Sequence, residues 1–192
     1  MSAIVLPGWY GKLPSLGDFT TRRLPPLFVE PWDRWLASSL AEWRAADEAW
    51  LEAYLAAPPL RFALGAGVPF KESPGYAGVL MPSVDRAGRY FPLTVARPRA
   101  PEQVATSSAC LEALEDVTVS ALNDDWSADR FDAELGGLDG ADDTGPGWPA
   151  QGQTLWWFAR HGELSSPVTA AGLPTAAMLV QLFSGRPWQA AG

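Results

Sequence analysis

Apolar residues recur at steps of three and four from Pro31 to Ala57, at Trp32, Trp35, Leu36, Leu40, Trp43, Trp50, Leu51, Tyr54 and Leu55. That spacing keeps them on one face of a helix. Glu42, Arg44, Asp47, Glu48 and Glu52 fall between them as the wet side, and Pro58-Pro59 supplies the stop. A second helical pattern runs from Pro101 to Leu122, with Val104, Leu111, Leu114, Val117 and Leu122 inward. A short helical piece spans Ser127 to Leu135, and a third helix Thr175 to Phe183, with Met178, Leu179, Leu182 and Phe183 apolar.

Other stretches carry strand patterns. Residues 2–6 form a short apolar run halted by Pro7-Gly8, and residues 60–64 (Leu-Arg-Phe-Ala-Leu) alternate. Tyr76 to Met81 and Arg89 to Ala96 read as two more strands, with Asp85 and Gly88 at the ends of a type I turn between them. Pro92 lacks a ladder donor, which argues for an edge or a bulge there. Leu155 to Ala159 (Leu-Trp-Trp-Phe-Ala) is apolar enough for a central strand, and Pro167 to Ala170 is positioned to pair with it. Residues 136–152 hold six glycines, two prolines and three aspartates, so 137–152 reads as a long surface loop. This order is no regular strand–helix alternation. It predicts an α+β fold: a largely antiparallel central sheet covered by helices, in a single domain over residues 1–192.

Composition narrows the class. A chain of 192 residues buries roughly 70% of its unfolded surface and needs no metal or disulfide to fold. Ten tryptophans imply an aromatic-rich core or an aromatic binding face. The single cysteine, Cys110, excludes an internal disulfide and a multi-thiolate zinc site, and favours a reducing compartment. No basic segment precedes the first apolar run and no stretch reaches the ~20 residues of a membrane span, so a soluble, cytoplasmic protein is expected. The net charge of −8 is concentrated: residues 102–143 hold twelve acids against one base, Arg130. Such a segment repels nucleic acid and anionic lipid. It serves either as a solubilising face or as an acidic face for a basic partner.

The stretch Gly8-Trp9-Tyr10-Gly11-Lys12-Leu13-Pro14-Ser15-Leu16-Gly17-Asp18-Phe19 has the composition of a binding loop. Its Gly11-Lys12 is followed by Leu13-Pro14, not by the Ser or Thr that a phosphate loop requires. The only histidine, His161, has no Gly-x-Ser-x-Gly elbow to serve, and Asp139 to Asp143 lack the order of a calcium loop. No catalytic residue, cofactor or metal ligand is therefore assigned, and a serine hydrolase using His161 stays as an alternative. What remains are stretches mixing aromatic, Gly and Arg residues, with Asp18, Arg22 and Asp33 placed to tie the opening segment to the first helix.

These stretches carry a resemblance. Gly8-Trp9-Tyr10-Gly11-Lys12-Leu13-Pro14, Gly17-Asp18-Phe19, Arg23-Leu24-Pro25 and Trp32-Asp33-x-Trp35-Leu36 form a first block. Gly78-Val79-Leu80-Met81-Pro82-Ser83-Val84-Asp85-Arg86-x-Gly88-Arg89-Tyr90-Phe91-Pro92-Leu93 forms a second. Together they resemble the TagF (ImpM) proteins of bacterial type VI secretion, in the form without a fused phosphatase. The resemblance implies a non-enzymatic, post-translational repressor of secretion that binds a cytoplasmic component. A forkhead-associated scaffold protein is the candidate partner, and an assembly adaptor for a secretion subunit is an alternative role. Trp9, Lys12, Asp18, Arg22, Arg23, Asp85, Arg86 and Arg89 are the interface candidates.

Overall fold

The computed structural model describes residues 5–138, 144–160 and 163–185. Their strands are β1 (Gly8–Gly11), β2 (Thr20–Arg22), β3 (Leu60–Leu64), β4 (Tyr76–Met81), β5 (Leu93–Pro98), β6 (Gln153–Arg160), β7 (Glu163–Leu164) and β8 (Val168–Ala171). Their helices are α1 (Pro26–Ala46), α2 (Trp50–Leu55), α3 (Ser108–Asn123), α4 (Ala128–Gly136) and α5 (Ala176–Phe183). The strands pair antiparallel in the order β2-β1-β5-β4-β3-β6-β7, with β8 also on β6. The expected α+β class, an antiparallel sheet covered by helices, is what the chain adopts.

The sheet is buried on both faces, and the two-residue period of a strand sorts its side chains between two cores. Leu60, Phe62 and Leu64 of β3 and Trp156 and Phe158 of β6 face α1, α2 and α5. Ala63 and Trp157 face the other way, toward α3 and α4. Arg61 shares that second face and donates from Nε to Glu115 Oε2 of α3 at 2.7 Å. Burial raises the Glu115 carboxyl above its ordinary value, and the Arg61 bond only partly opposes it.

The first core is built on aromatic rings. Trp32 of α1 has none of its surface exposed, and its ring centroid lies 5.2 Å from Phe28, 4.8 Å from Trp35 and 5.1 Å from Phe62. Its Nε1–H donates to Thr94 Oγ1 at 2.8 Å, which satisfies the buried polar handle of each.

Several element boundaries differ from expectation, each for a local reason. The expected strand at 2–6 falls partly outside the described residues; Val5 and Leu6 are exposed and belong to no strand, and the first strand is Gly8–Gly11. The helix expected from Pro31 begins at Pro26, because a proline at N1 forgoes an amide the helix could not use. Pro31 then sits inside α1, close to its N-terminus. The helix ends at Ala46, where Asp47 turns its carboxylate onto the Ala49 amide at 2.8 Å, and α2 begins separately. The helix expected from Pro101 starts at Ser108, where Ser107 caps the Cys110 amide, so Val104 lies outside it with 71% of its surface exposed. The strand expected over 89–96 runs instead from Leu93 to Pro98, beginning just after Pro92. The expected loop at 137–152 includes the undescribed residues 139–143; its remainder returns to the fold through a bridge between Ala105 and Gly147.

Gly78 shows how closely the strands are pressed together. A Cβ there would lie 2.0 Å from the Val95 carbonyl oxygen and 2.9 Å from the Phe62 ring, so only glycine fits.

Candidate functional site

The stretch read as a loop is partly a strand. Gly8–Gly11 is β1, buried along its length between β2 and β5. Gly11 has φ 137°, and a Cβ there would meet the Pro92 carbonyl oxygen at 2.3 Å, so this motif glycine is required by the approach of the second block.

Beyond β1 the first block lies directly on the second, and the hub between them is Asp85. Its Oδ2 accepts from Lys12 Nζ and, at 2.7 Å, from Arg89 Nε. Its Oδ1 accepts from the amides of Ala87 and Arg89, each at 2.9 Å. The Asp85 carbonyl accepts from the Gly88 amide at 2.9 Å, closing the turn expected from the sequence. Around the hub, Ser83 Oγ donates to the Lys12 carbonyl at 2.6 Å and the Arg86 amide donates to the Leu16 carbonyl at 2.9 Å. The Arg89 guanidinium also reaches the Gly17 carbonyl, and approaches Asp18 at 4.0 Å. Tyr54 of α2 anchors the arrangement: its hydroxyl donates to the Ser83 carbonyl at 3.0 Å and accepts from the Ser83 amide at 2.9 Å.

Burial alone would raise the Asp85 carboxyl. The Lys12 ammonium, the Arg89 amide and the Arg89 guanidinium outweigh it and hold the group well below the usual carboxylate range. Asp85 is therefore a fixed anion that organises a turn.

Aromatic packing continues the site to the surface. Phe19 stacks on Tyr10 with ring centroids 5.8 Å apart and meets Phe91 edge-on at 4.8 Å, while Lys12 Nζ lies 4.5 Å from the Phe19 centroid. The Tyr10 hydroxyl donates to Asp33 Oδ1 at 2.6 Å; burial, then that bond, pushes the phenol up. Phe19 itself is 41% exposed.

A second set of contacts fastens β1 and β2 to α4. Trp9 Nε1–H donates to Asp132 Oδ1 at 3.0 Å, and Arg23 Nη1 donates to Asp132 Oδ2 at 2.7 Å. Arg22 Nη2 reaches Asp129 Oδ1 at 3.3 Å on the surface. Arg22 thus joins α4, not the start of α1 as expected, while Asp33 does make the expected tie through Tyr10. Two acids of the acidic 102–143 segment are in this way met by arginines of the opening block.

Burial pushes the Asp132 carboxyl up, but the bonds from Arg23 and Trp9 prevail and lower it. The sign follows. Asp85 and Asp132 both titrate lower in the folded chain than their ordinary 3.8, so the stability they supply is present above about pH 4 and lost as the pH falls below it. Glu115, shifted up, contributes in the opposite direction. We expect the urea midpoint to fall between pH 5 and 2.5, and Asp132→Asn to flatten that fall; an unchanged slope would count against this assignment.

The eight interface candidates therefore divide by burial. Trp9, Lys12 and Asp85 are buried and hold the two blocks together, so they offer a partner no surface in this conformation. Asp18, Arg22, Arg23, Arg86 and Arg89 lie at the surface. Among the described residues the Arg86 guanidinium has no hydrogen-bonding partner. Ser83 comes from the second motif block, while Asp129, Asp132 and Tyr54 belong to the same arrangement and have no local sequence signal that would place them there. His161 lies outside the described residues, which contain no group of three or more potential metal ligands and no helix long and apolar enough to cross a membrane.

The chain belongs to the TagF N-terminal domain family, associated with the type VI secretion system, which matches residues 8–138. Both motif blocks and their α4 partners fall within that span. A similar solved structure is that of PA0076 from Pseudomonas aeruginosa PAO1, at 30% identity and a TM-score of 0.79, over 96% of this chain and 97% of that one. No curated protein matches.

Proposed function

We propose that this chain is a non-enzymatic, post-translational repressor of type VI secretion that acts in the cytoplasm by binding a component of the secretion machinery. The forkhead-associated scaffold protein is the candidate partner. Membership of a family associated with type VI secretion carries the reading as far as the secretion system. The binding mechanism is supported by the way the two blocks are used: their buried charges go into mutual fastening, which presents Phe19, Arg22, Arg86 and Arg89 on rigid supports at the surface. Aromatic and arginine side chains are the types that anchor protein interfaces.

The test is genetic. In the native host, deletion of the chain is expected to raise the amount of a type VI substrate in the culture supernatant, and overproduction to lower it. A His161→Ala variant is expected to repress as well as the wild type. Unchanged secretion in both strains would refute the repressor reading. Loss of secretion on deletion would point to an assembly adaptor, and loss of repression in the histidine variant to a hydrolase.

A further inference from the structure

A groove of about 660 Å³ runs between the C-terminal end of α1 and the N-terminal half of α5. Trp43, Ala46, Ala177 and Val180 give it an apolar lining, and Glu42 and Asp47 stand at its margin. None of the motif residues lines it, so it is separate from the surface considered above. We infer that this groove is a docking site for a basic amphipathic helix of a partner protein.

Shape and charge both select that occupant. The groove is open to solvent, so it suits a segment of chain better than an enclosed small molecule. Its small alanines let a helix approach closely, in the manner of a helix laid in a groove by its apolar face. The charge is one-sided. Glu42, Asp47 and Glu48 gather around the end of α1, where the helix dipole is also negative. The α5 segment Ala176–Phe183 carries no charge. Among the described residues, the base on α1 beside this lining, Arg44, is committed elsewhere: its guanidinium lies 4.4 Å from the Trp50 ring centroid and donates to the Tyr90 carbonyl at 3.2 Å. An acidic margin around an apolar floor attracts lysines and arginines flanking an apolar stripe, and repels anionic lipid.

The inference stands apart from the repressor reading, because its test reads binding in purified protein and needs no secretion assay. The probe is a synthetic helical peptide of about 18 residues with leucines on one face and lysines on the other; a second peptide has every lysine replaced by glutamate. Titration calorimetry and amide chemical-shift mapping are run on the wild type, on Ala177→Trp, which fills the groove, and on Glu42→Lys/Asp47→Lys, which reverses its margin. Both variants change exposed positions, and their thermal midpoints are checked against the wild type.

The lysine peptide is expected to bind with a Kd below about 100 μM, shifting amides of residues 42–47 and 176–180. Each variant is expected to weaken it at least about tenfold, and added salt to weaken it further. If Ala177→Trp does not fold, the charge-reversed protein alone decides the matter. Absence of saturable binding, equal binding of the glutamate peptide, shifts confined to other residues, or variants without effect would each overturn the inference. So would a concentration-dependent dimer abolished by Ala177→Trp, which would assign the groove to a second copy of the chain.

Discussion

Replacing Lys12 with methionine is expected to lower the thermal midpoint by roughly 10 °C. Lys12 is 3% exposed and the Asp85 side chain not at all, so the substitution leaves a carboxylate deprived of its buried counter-ion. Arg89 and two amides would still hold Asp85, but Arg89 is largely exposed and water screens its charge. The defect should be local before it is global. Amides of Ala87 and Arg89, which Asp85 holds, are expected to exchange faster with deuterium than those of β3 and β6. Adding Asp85→Asn should restore part of the midpoint, since the uncompensated charge is then gone. A single variant that melts with the wild type would show that the two motif blocks are held together by something other than this pair.

The second large effect lies in the first core. Trp32→Ala is expected to cost about 4 kcal/mol in urea denaturation, near the upper end for a buried large-to-small change. Trp32 has no exposed surface, touches Phe28, Trp35, Phe62 and Trp156, and its loss also leaves Thr94 Oγ1 without its donor. Trp32→Phe should lose markedly less, because it retains a ring in contact with its neighbours. Equal losses for the two would assign the stability to the Nε1 hydrogen bond and not to the packing.

Much of the architecture is legible in the chain because periodicity is a local signal. The alternation of residues 60–64 and the apolar run at 155–159 become β3 and β6, and the steps of three and four become α1, α3 and α5. Ser107, Ser127 and Thr175 cap helices as their chemistry demands. The opening stretch shows where local reading fails. Its glycines suggest a loop, yet two of the three are required because neighbouring backbone passes too close for any side chain: the Pro92 carbonyl at Gly11, and the Arg22–Leu24 turn at Gly8. The candidate site was half legible for the same reason. Motif residues could be picked out, but Arg23 meets Asp132 across 109 residues and Lys12 meets Asp85 across 73. No local pattern encodes such pairs, nor does it show that Trp9, Lys12 and Asp85 face inward while Arg86 faces out.

The surface carried by the fastened motif blocks is proposed to act by contact with another protein. The most direct test is secretion from a host strain lacking the chromosomal copy and overproducing either the wild type or an Arg22→Glu/Arg86→Glu variant. Both positions are exposed, and the Arg22–Asp129 surface pair contributes little to stability, so the variant should fold and accumulate normally. The wild type is expected to silence release of a type VI substrate, and the variant, at equal abundance and with an equal thermal midpoint, is expected not to. Equal silencing by the two proteins would contradict the proposal.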